Sequence, residues 1–321
     1  MQMHNVDIAI PNYNYGRFLR ESVESVLSQR GVNVRVLIID NASTDDSAAI
    51  ACQLAAEDSR VELCLRERNL GPHASFNEGV DWASAEYFLI LCSDDLLAPD
   101  VLARATALLD ERRDVNLVYG RMSKITADTR RSEINLPEPG DEAGWKIRSG
   151  PDYIAACCRN AISLVDGPTA IVRTEVQKKI GHYRASLAHT DDMEMWLRFA
   201  MQGAIAETES VQAYIRIHPQ SRSSNIEGIL QWNREVEQAF LSFFEHEGRD
   251  LPDAEQLLAK VKDCLSKRAY WSAVSNVLRR ERGAAALLAT ALKRKPLMAI
   301  VPPFDYLLHR SKRRKHLGAA G

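Results

Sequence analysis

The sequence predicts an α/β protein, a mostly parallel sheet flanked by helices, with a helical appendage at its C-terminal end. Three observations carry that prediction. Short, near-continuous apolar runs recur through the first hundred residues, as strands buried on both faces of a parallel sheet require. Each run is followed by a segment with helical spacing, the alternation of a layered α/β fold. From about Ile226 onward the pattern is helical, with no further strand.

Taken in order, Val6–Ile10 is the first strand, and Phe18, Val23, Val26 and Leu27 mark the helix after it. Val34–Ile39 and the helix through Ala48–Ala56 repeat the unit, as do Val61–Leu65 and Phe76–Ala83. Tyr87–Cys92 is the fourth strand. Pro99 suits the first position of a helix through Leu109, because proline lacks only an N–H that a helix start leaves unpaired. Asn116–Tyr119 reads as a strand. Residues 121–150 carry Pro137, Pro139, Gly140 and Gly144 among many charges, which predicts a mobile loop. A helix at Asp152–Arg159, a strand at Thr169–Val172, a helix at Asp191–Met201 and a strand at Tyr214–Ile217 follow. The remaining helices are expected at Ile229–Glu245, Ala254–Lys267 and Tyr270–Leu292. The domain division expected is 1–225 for the α/β part and 226–321 for the helical part.

Composition narrows the functional classes. The 321 residues are 45% hydrophobic and 26% charged, ordinary for a globular chain large enough to bury a core. A net charge of -2 gives no pull toward nucleic acid. The six cysteines show no CxxC spacing, so reduced thiols in a cytoplasmic protein are expected. No stretch reaches the roughly 18 apolar residues of a membrane span, and the start lacks the basic-then-apolar pattern of a signal peptide. The end, from Phe304 to Lys315, joins apolar residues to a dense basic run. It suits either a solvated terminus or peripheral contact with an anionic membrane, such as the inner face of the cytoplasmic membrane.

The chemistry sits at the strand ends. The fourth apolar run stops on Ser93-Asp94-Asp95, where open α/β sheets bind ligands. Two carboxylates there can hold a divalent cation against a phosphate, or simply open the next helix. Pro11, Asn12, Tyr13, Asn14 and Tyr15 follow the first strand and could cover a flat base while donating hydrogen bonds. Asp40 ends the second strand, with Ser43 and Thr44 placed to cap the next helix. Asn69-Leu70-Gly71, with Ser75 and Asn77, follows the third. No GxGxxG and no Walker-type loop follow any strand, so phosphates would be neutralised by a metal or by basic side chains.

The ordered set of motifs resembles the family 2 glycosyltransferases, which have the GT-A fold. The stretches DIAIPNYNYGRFLRESVESVLSQ, VLIIDNASTDDS, NLGPHASFNEG and YFLILCSDDLLAPDVL are similar to the family's first four segments. GPTAIVRTEV, HTDDMEMWLRF and YIRIHPQSRS are similar to its acceptor-side segments, and the likeness covers about residues 5–225. It implies a nucleotide-diphosphate sugar donor, a divalent cation (Mg2+ or Mn2+) and inverting transfer to an acceptor hydroxyl on a glycan or lipid-linked chain. By that resemblance Asp40 falls on the base-recognition position, Asp94 on the ribose contact, Asp95 on the metal ligand and Asp192 on the general base. Pro11, Asn12, Tyr13 and Asn69 join the donor side. Asp191, Trp196 and His189 fall on the acceptor side, with Arg198 beside Trp196. His218, after the last strand, is a second candidate for metal or phosphate, and Arg216 and Ser221 are weaker ones. Trp145, Tyr183 and Trp232 could stack on a sugar, though core packing suits each as well.

Three positions depart from the family pattern. Cys92 stands where an acid is common, Asn41 where the second-strand motif has its second acid, and Phe76 where an arginine often precedes the asparagine. The function expected is glycosyl transfer in bacterial surface-polysaccharide or glycolipid assembly. A catalytically silent nucleotide-sugar-binding or interaction module is the alternative, and a sugar-phosphate nucleotidyltransferase ranks below both for want of a Gly-rich basic loop after the first strand.

Overall fold

The computed structural model describes residues 3–134, 143–221 and 227–307. The chain divides into two compact units. The first takes in residues 1–154, 163–186 and 191–224; the second takes in 155–162, 187–190 and 225–321.

The first unit is built on one nine-stranded sheet. Four strands, β1 (His4–Asn12), β2 (Val32–Asp40), β3 (Val61–Leu65) and β4 (Tyr87–Ile90), pair in parallel in the order β3-β2-β1-β4. The helices α1 (Gly16–Leu27), α2 (Ser47–Glu57) and α3 (Pro72–Trp82) connect them. Beyond β4 the sheet becomes mixed: β8 (Ile171–Arg173) runs antiparallel to both β4 and β6 (Val115–Thr126). The long β9 (Ala204–Ile217) lies parallel to β6 and antiparallel to β5 (Leu96–Leu97) and β7 (Trp145–Arg148). Helices α4 (Val101–Glu111), α5 (Gly150–Asn160, which enters the second unit), α6 (Thr174–Ile180) and α7 (Asp191–Ala200) complete the connections.

Why these residues make these elements is plain from burial. Ile8, Ala9, Ile10, Val36, Ile38 and Ile39 are fully buried, so consecutive positions of β1 and β2 face apolar layers on both sides. On α1, Phe18, Leu19, Ser22, Val23, Ser25 and Val26 form the buried stripe. Two glycines allow close approach: a Cβ on Gly16 would meet the Ser47 nitrogen at 2.9 Å, and one on Gly79 would meet the Ala9 Cβ at 2.5 Å. The register pairs Asn12 with Asp40, so the first two strands end level and their loops share one edge.

Several boundaries differ from expectation. The fourth strand ends at Ile90 because the chain turns, with the Asp95 N–H donating to the Cys92 carbonyl at 3.0 Å. Pro99 stays outside α4, which starts at Val101 after Asp100 adopts φ of 58°. Part of the stretch expected to be a loop is regular: β6 continues to Thr126, a short 3-10 helix spans Arg131–Glu133, and β7 covers Trp145–Arg148. Pro137, Pro139 and Gly140 lie outside the described residues.

The described part of the second unit is helical. Helix α8 (Gly228–Glu245) buries Val236, Ala239, Phe240 and Phe243. Helix α9 runs unbroken from Ala254 to Arg279, where two helices were expected, and ends only where Arg280 adopts φ of 57°. Its Ala269 and Ala273 pack with Leu287 and Ala291 of α10 (Ala284–Arg294). The buried Arg268 donates to the carbonyls of Asn160 and Ala161 at 2.9 and 2.7 Å. Among the described residues no helix is long and apolar enough to cross a membrane.

Candidate active site

Four chain segments build the edge where β1, β2 and β4 end. The first two are stitched together by their own polar side chains. The Asn12 amide donates to Asp40 Oδ2 at 2.8 Å, and Ser43 donates to the same carboxylate from its backbone at 2.9 Å and its hydroxyl at 2.6 Å. Asn14, at φ of 60°, accepts from the Thr44 backbone N–H at 2.7 Å. Asp40 is therefore buried and held, and Asn12 spends its amide on holding it. Pro11 is half-buried at the end of β1, whereas Tyr13 is 44% exposed and presents its ring to solvent.

Asn41 replaces an acid but is fully employed. Its amide donates to Asn69 Oδ1 at 2.7 Å and to the Gly71 carbonyl at 3.2 Å, and its oxygen accepts from Leu70 N–H and Arg66. A carboxylate there could not donate to Asn69. Arg66 also pairs with Glu78; sequence reasoning missed this link, which no local pattern signals. Asn69 itself is exposed.

The strongest electrostatics lie after β4. Asp94 and Asp95 are 8% and 4% exposed. Together with the half-buried Cys92 they offer ligand atoms that lie within 4.8 Å of one another. Burial raises both carboxyls above the usual range, and the charge of Asp94 raises Asp95 further. Asp95 Oδ1 accepts from the Arg216 backbone N–H at 3.1 Å. Burial, then Asp94, Cys92 and Asp95, push the Tyr15 hydroxyl up to about 12. This donor set fits a divalent cation. Two carboxylates supply hard oxygens, their buried like charges are what a cation would neutralise, and Cys92 adds a softer donor.

His218, expected as a candidate for metal or phosphate, stands beside the paired acids. Because β9 pairs with β5, His218 reaches Asp94, with Nε2 3.1 Å from Oδ2. Its ring is clasped between Tyr15 and Phe18 at 5.1 and 5.2 Å. It contacts Asp94 from outside the cluster formed by Cys92, Asp94 and Asp95. Arg216, also a candidate for phosphate contact, lies beside it. Its buried guanidinium is taken up by Glu21 and by the Thr129 carbonyl at 2.5 Å, so it neutralises charge beside the site. Glu21 was not foreseen, since its partner lies 195 residues away.

The second acidic group opens α7. Asp191 lies 3.3 Å from His73 Nε2, and Asp192, half-buried, accepts from the Met193 N–H at 2.6 Å. Asp192 Oδ2 faces Gly167, where a Cβ would meet it at 3.6 Å. Behind them His73, Phe76, Tyr183, Trp196 and Phe199 form a chain of ring contacts. Phe76 thus serves packing where an arginine was expected. Trp196, 3% exposed, and Tyr183, 7% exposed, are interior residues and offer no open stacking face. Burial first, then Asp191 and Asp192, raise the Tyr183 hydroxyl. Arg198 is buried, pairing with Glu194 at 3.0 Å and donating to the Ile180 carbonyl at 2.7 Å. Trp145 packs against the sheet core, and Trp232 and His189 are half-exposed.

This architecture, a parallel βαβ half ending on paired acids and a mixed half carrying a further acidic helix start, is the GT-A type. It superposes on Staphylococcus aureus TarS 1–349 in complex with UDP, with a TM-score of 0.60, 18% identity, and coverage of 98% of this chain and 89% of that one. Mannosyltransferase PcManGT from Pyrobaculum calidifontis, in complex with GDP-Man and Mn2+, gives 0.59 at 19% identity, covering 100% and 89%. The family model for glycosyl transferase family 2 matches residues 7–181, and the chain belongs to that family. Curated relatives include an uncharacterized glycosyltransferase of Rickettsia typhi, 26% identical over 66% of this chain and 64% of its own length. The succinoglycan biosynthesis protein ExoO of Rhizobium meliloti is 35% identical over 41% of each chain. The alignment thus spans less than two thirds of either relative.

Proposed function

We propose that this protein is an inverting glycosyltransferase that moves a sugar from a nucleotide-diphosphate donor to an acceptor hydroxyl. The observation that carries the reading is the buried pair Asp94 and Asp95, whose mutual repulsion calls for a cation, standing with the further acid Asp192 on a separate element. A single in-line displacement needs a base for the acceptor proton and positive charge for the departing diphosphate. Asp95, with Asp94 and Cys92, would hold Mg2+ or Mn2+, which supplies that charge. Asp40 and Tyr13 would receive the base, and Asp94 the ribose, with Pro11, Asn12 and Asn69 shaping the pocket. Asp192 would take the acceptor proton as the new bond to the anomeric carbon forms and the carbon–phosphate oxygen bond breaks. Asp191, through His73, steadies that helix start, while Trp196 supports it from the interior and His189 flanks it in sequence.

Family membership and the donors named for TarS and PcManGT support the donor class. The ExoO relative supports polysaccharide assembly. A glycan or lipid-linked acceptor and a cytoplasmic enzyme peripheral to the membrane complete the reading, with no role for nucleic acid. The test is a panel of nucleotide-sugars with Mn2+, the released or transferred sugar being followed by proton NMR. Initial product should carry the anomeric configuration opposite to that of the donor; retention would overturn the single displacement.

A further inference from the structure

The paired acids have a charged neighbour whose balance is kept on α1. Strand β9 ends with the Arg216 backbone N–H donating to Asp95 Oδ1 at 3.1 Å and the His218 ring 3.1 Å from Asp94. The Arg216 side chain is buried, with its guanidinium 5.0 Å from the centre of the Phe18 ring and donating to the Thr129 carbonyl at 2.5 Å. Glu21, one turn beyond Phe18 on α1, pairs with that guanidinium. Its other oxygen accepts the Arg131 N–H at 3.2 Å, so both ends of the carboxylate are held. Among the described residues no other carboxylate pairs with Arg216. A guanidinium does not shed its proton, so Arg216 stays charged and Glu21 is what balances it.

That balance bears on what the site can hold. The Arg216 charge favours the ionised forms of both Asp94 and Asp95, so its field reaches the donor set. On a divalent cation the same field acts with the opposite sign and on twice the charge. Left alone, Arg216 would therefore oppose the ion that the two acids call for. Glu21 sets an opposite charge directly against the guanidinium and cancels most of that field. We infer that Glu21, an acid outside the donor set, governs the cation affinity of the Asp94–Asp95 site by neutralising Arg216. The inference rests on the reading of those acids as a metal site. It makes Glu21 a positioning residue, whose loss weakens metal binding through a second side chain.

Mn2+ binding to the full chain, read by electron paramagnetic resonance at neutral pH without donor, tests this with three variants. Glu21→Gln should bind Mn2+ on the order of tenfold more weakly than the parent, the effect of one uncancelled charge beside a part-buried site. Arg216→Met, which leaves Glu21 unopposed, should bind more tightly than the parent. The double variant should return to within about threefold of the parent, because the two charges leave together. A purely structural role predicts a different order, in which every lost contact loosens the site and the double variant binds worst. Equal binding in Glu21→Gln and parent, or a double variant no tighter than Glu21→Gln, would overturn the inference and leave the metal site in place. If melting with chelator shows that Glu21→Gln does not fold, Arg216→Met decides, and binding no tighter than the parent's would overturn the inference. A parent that binds no Mn2+ would overturn both the inference and the metal site beneath it.

Discussion

Replacing Asp95 by asparagine should make the metal-free protein more stable, against the usual outcome for a buried site residue. In the parent, the Asp94 and Asp95 carboxylates are buried and lie within 4.8 Å. At an effective dielectric of about 20, two full charges at that distance repel by about 3 kcal/mol. Arg216 and His218 offset part of this, and asparagine can still accept from the Arg216 N–H. The expected net gain is about 1–2 kcal/mol, or ~2–8 °C in melting temperature for a unit of this size. The pH dependence follows from the direction of the shifts. A carboxyl raised on folding keeps its proton in the native state after the unfolded chain has lost it, so parent stability falls as pH rises from the unfolded carboxylate range through the raised one. Asp95→Asn should flatten that fall, and its advantage should vanish in acid. Saturating Mn2+ should reverse the order near neutral pH, because only the parent keeps both carboxylates. Differential scanning fluorimetry with chelator or Mn2+ across pH reads all of this. A variant destabilised alike in both conditions, or an equal Mn2+ shift in parent and variant, would refute the electrostatic reasoning.

Three further outcomes are expected. Asp192→Asn should lower turnover by ~10²–10⁴-fold, the usual worth of a general base, while donor affinity measured by calorimetry stays near that of the parent; equal losses in both would point to a binding role. His218→Ala leaves the buried Asp94 carboxylate short of a partner, at a cost of roughly 1–3 kcal/mol. Donor binding should therefore weaken about tenfold, with partial recovery in His218→Asn, and no change would remove the positioning role. Cadmium added to the parent should give a thiolate-to-metal ultraviolet band that Cys92→Ser lacks, since thiolates favour soft metals. A band retained in Cys92→Ser, or absent from the parent, would take Cys92 out of the metal shell.

The parallel half of the sheet was legible because β1, β2 and β4 are buried on both faces and read as apolar runs. Asp40, Asp94 and Asp95 stood out for the same reason: packing gives no cause for acids at the ends of such strands. The outer part of β6 was not legible, since none of its residues beyond Gly120 is buried and most are polar. Nor was the αL turn at Asp100, which moves the start of α4 past Pro99. The roles of His218, Arg216 and Glu21 depend on β5 pairing with β9 and on partners more than a hundred residues apart. Only the folded chain brings those groups together. Trp196 illustrates the converse: its place on α7 was clear, but its burial behind Tyr183 depends on rings from two helices and the loop before α7.

The most direct test of the account is nucleoside-diphosphate release from nucleotide-sugars by the full chain, with Mn2+ or Mg2+ and again with chelator. The account predicts metal-dependent release that Asp95→Ala and Asp192→Asn both abolish. Donor binding without release, or release indifferent to chelator and to both substitutions, would contradict it.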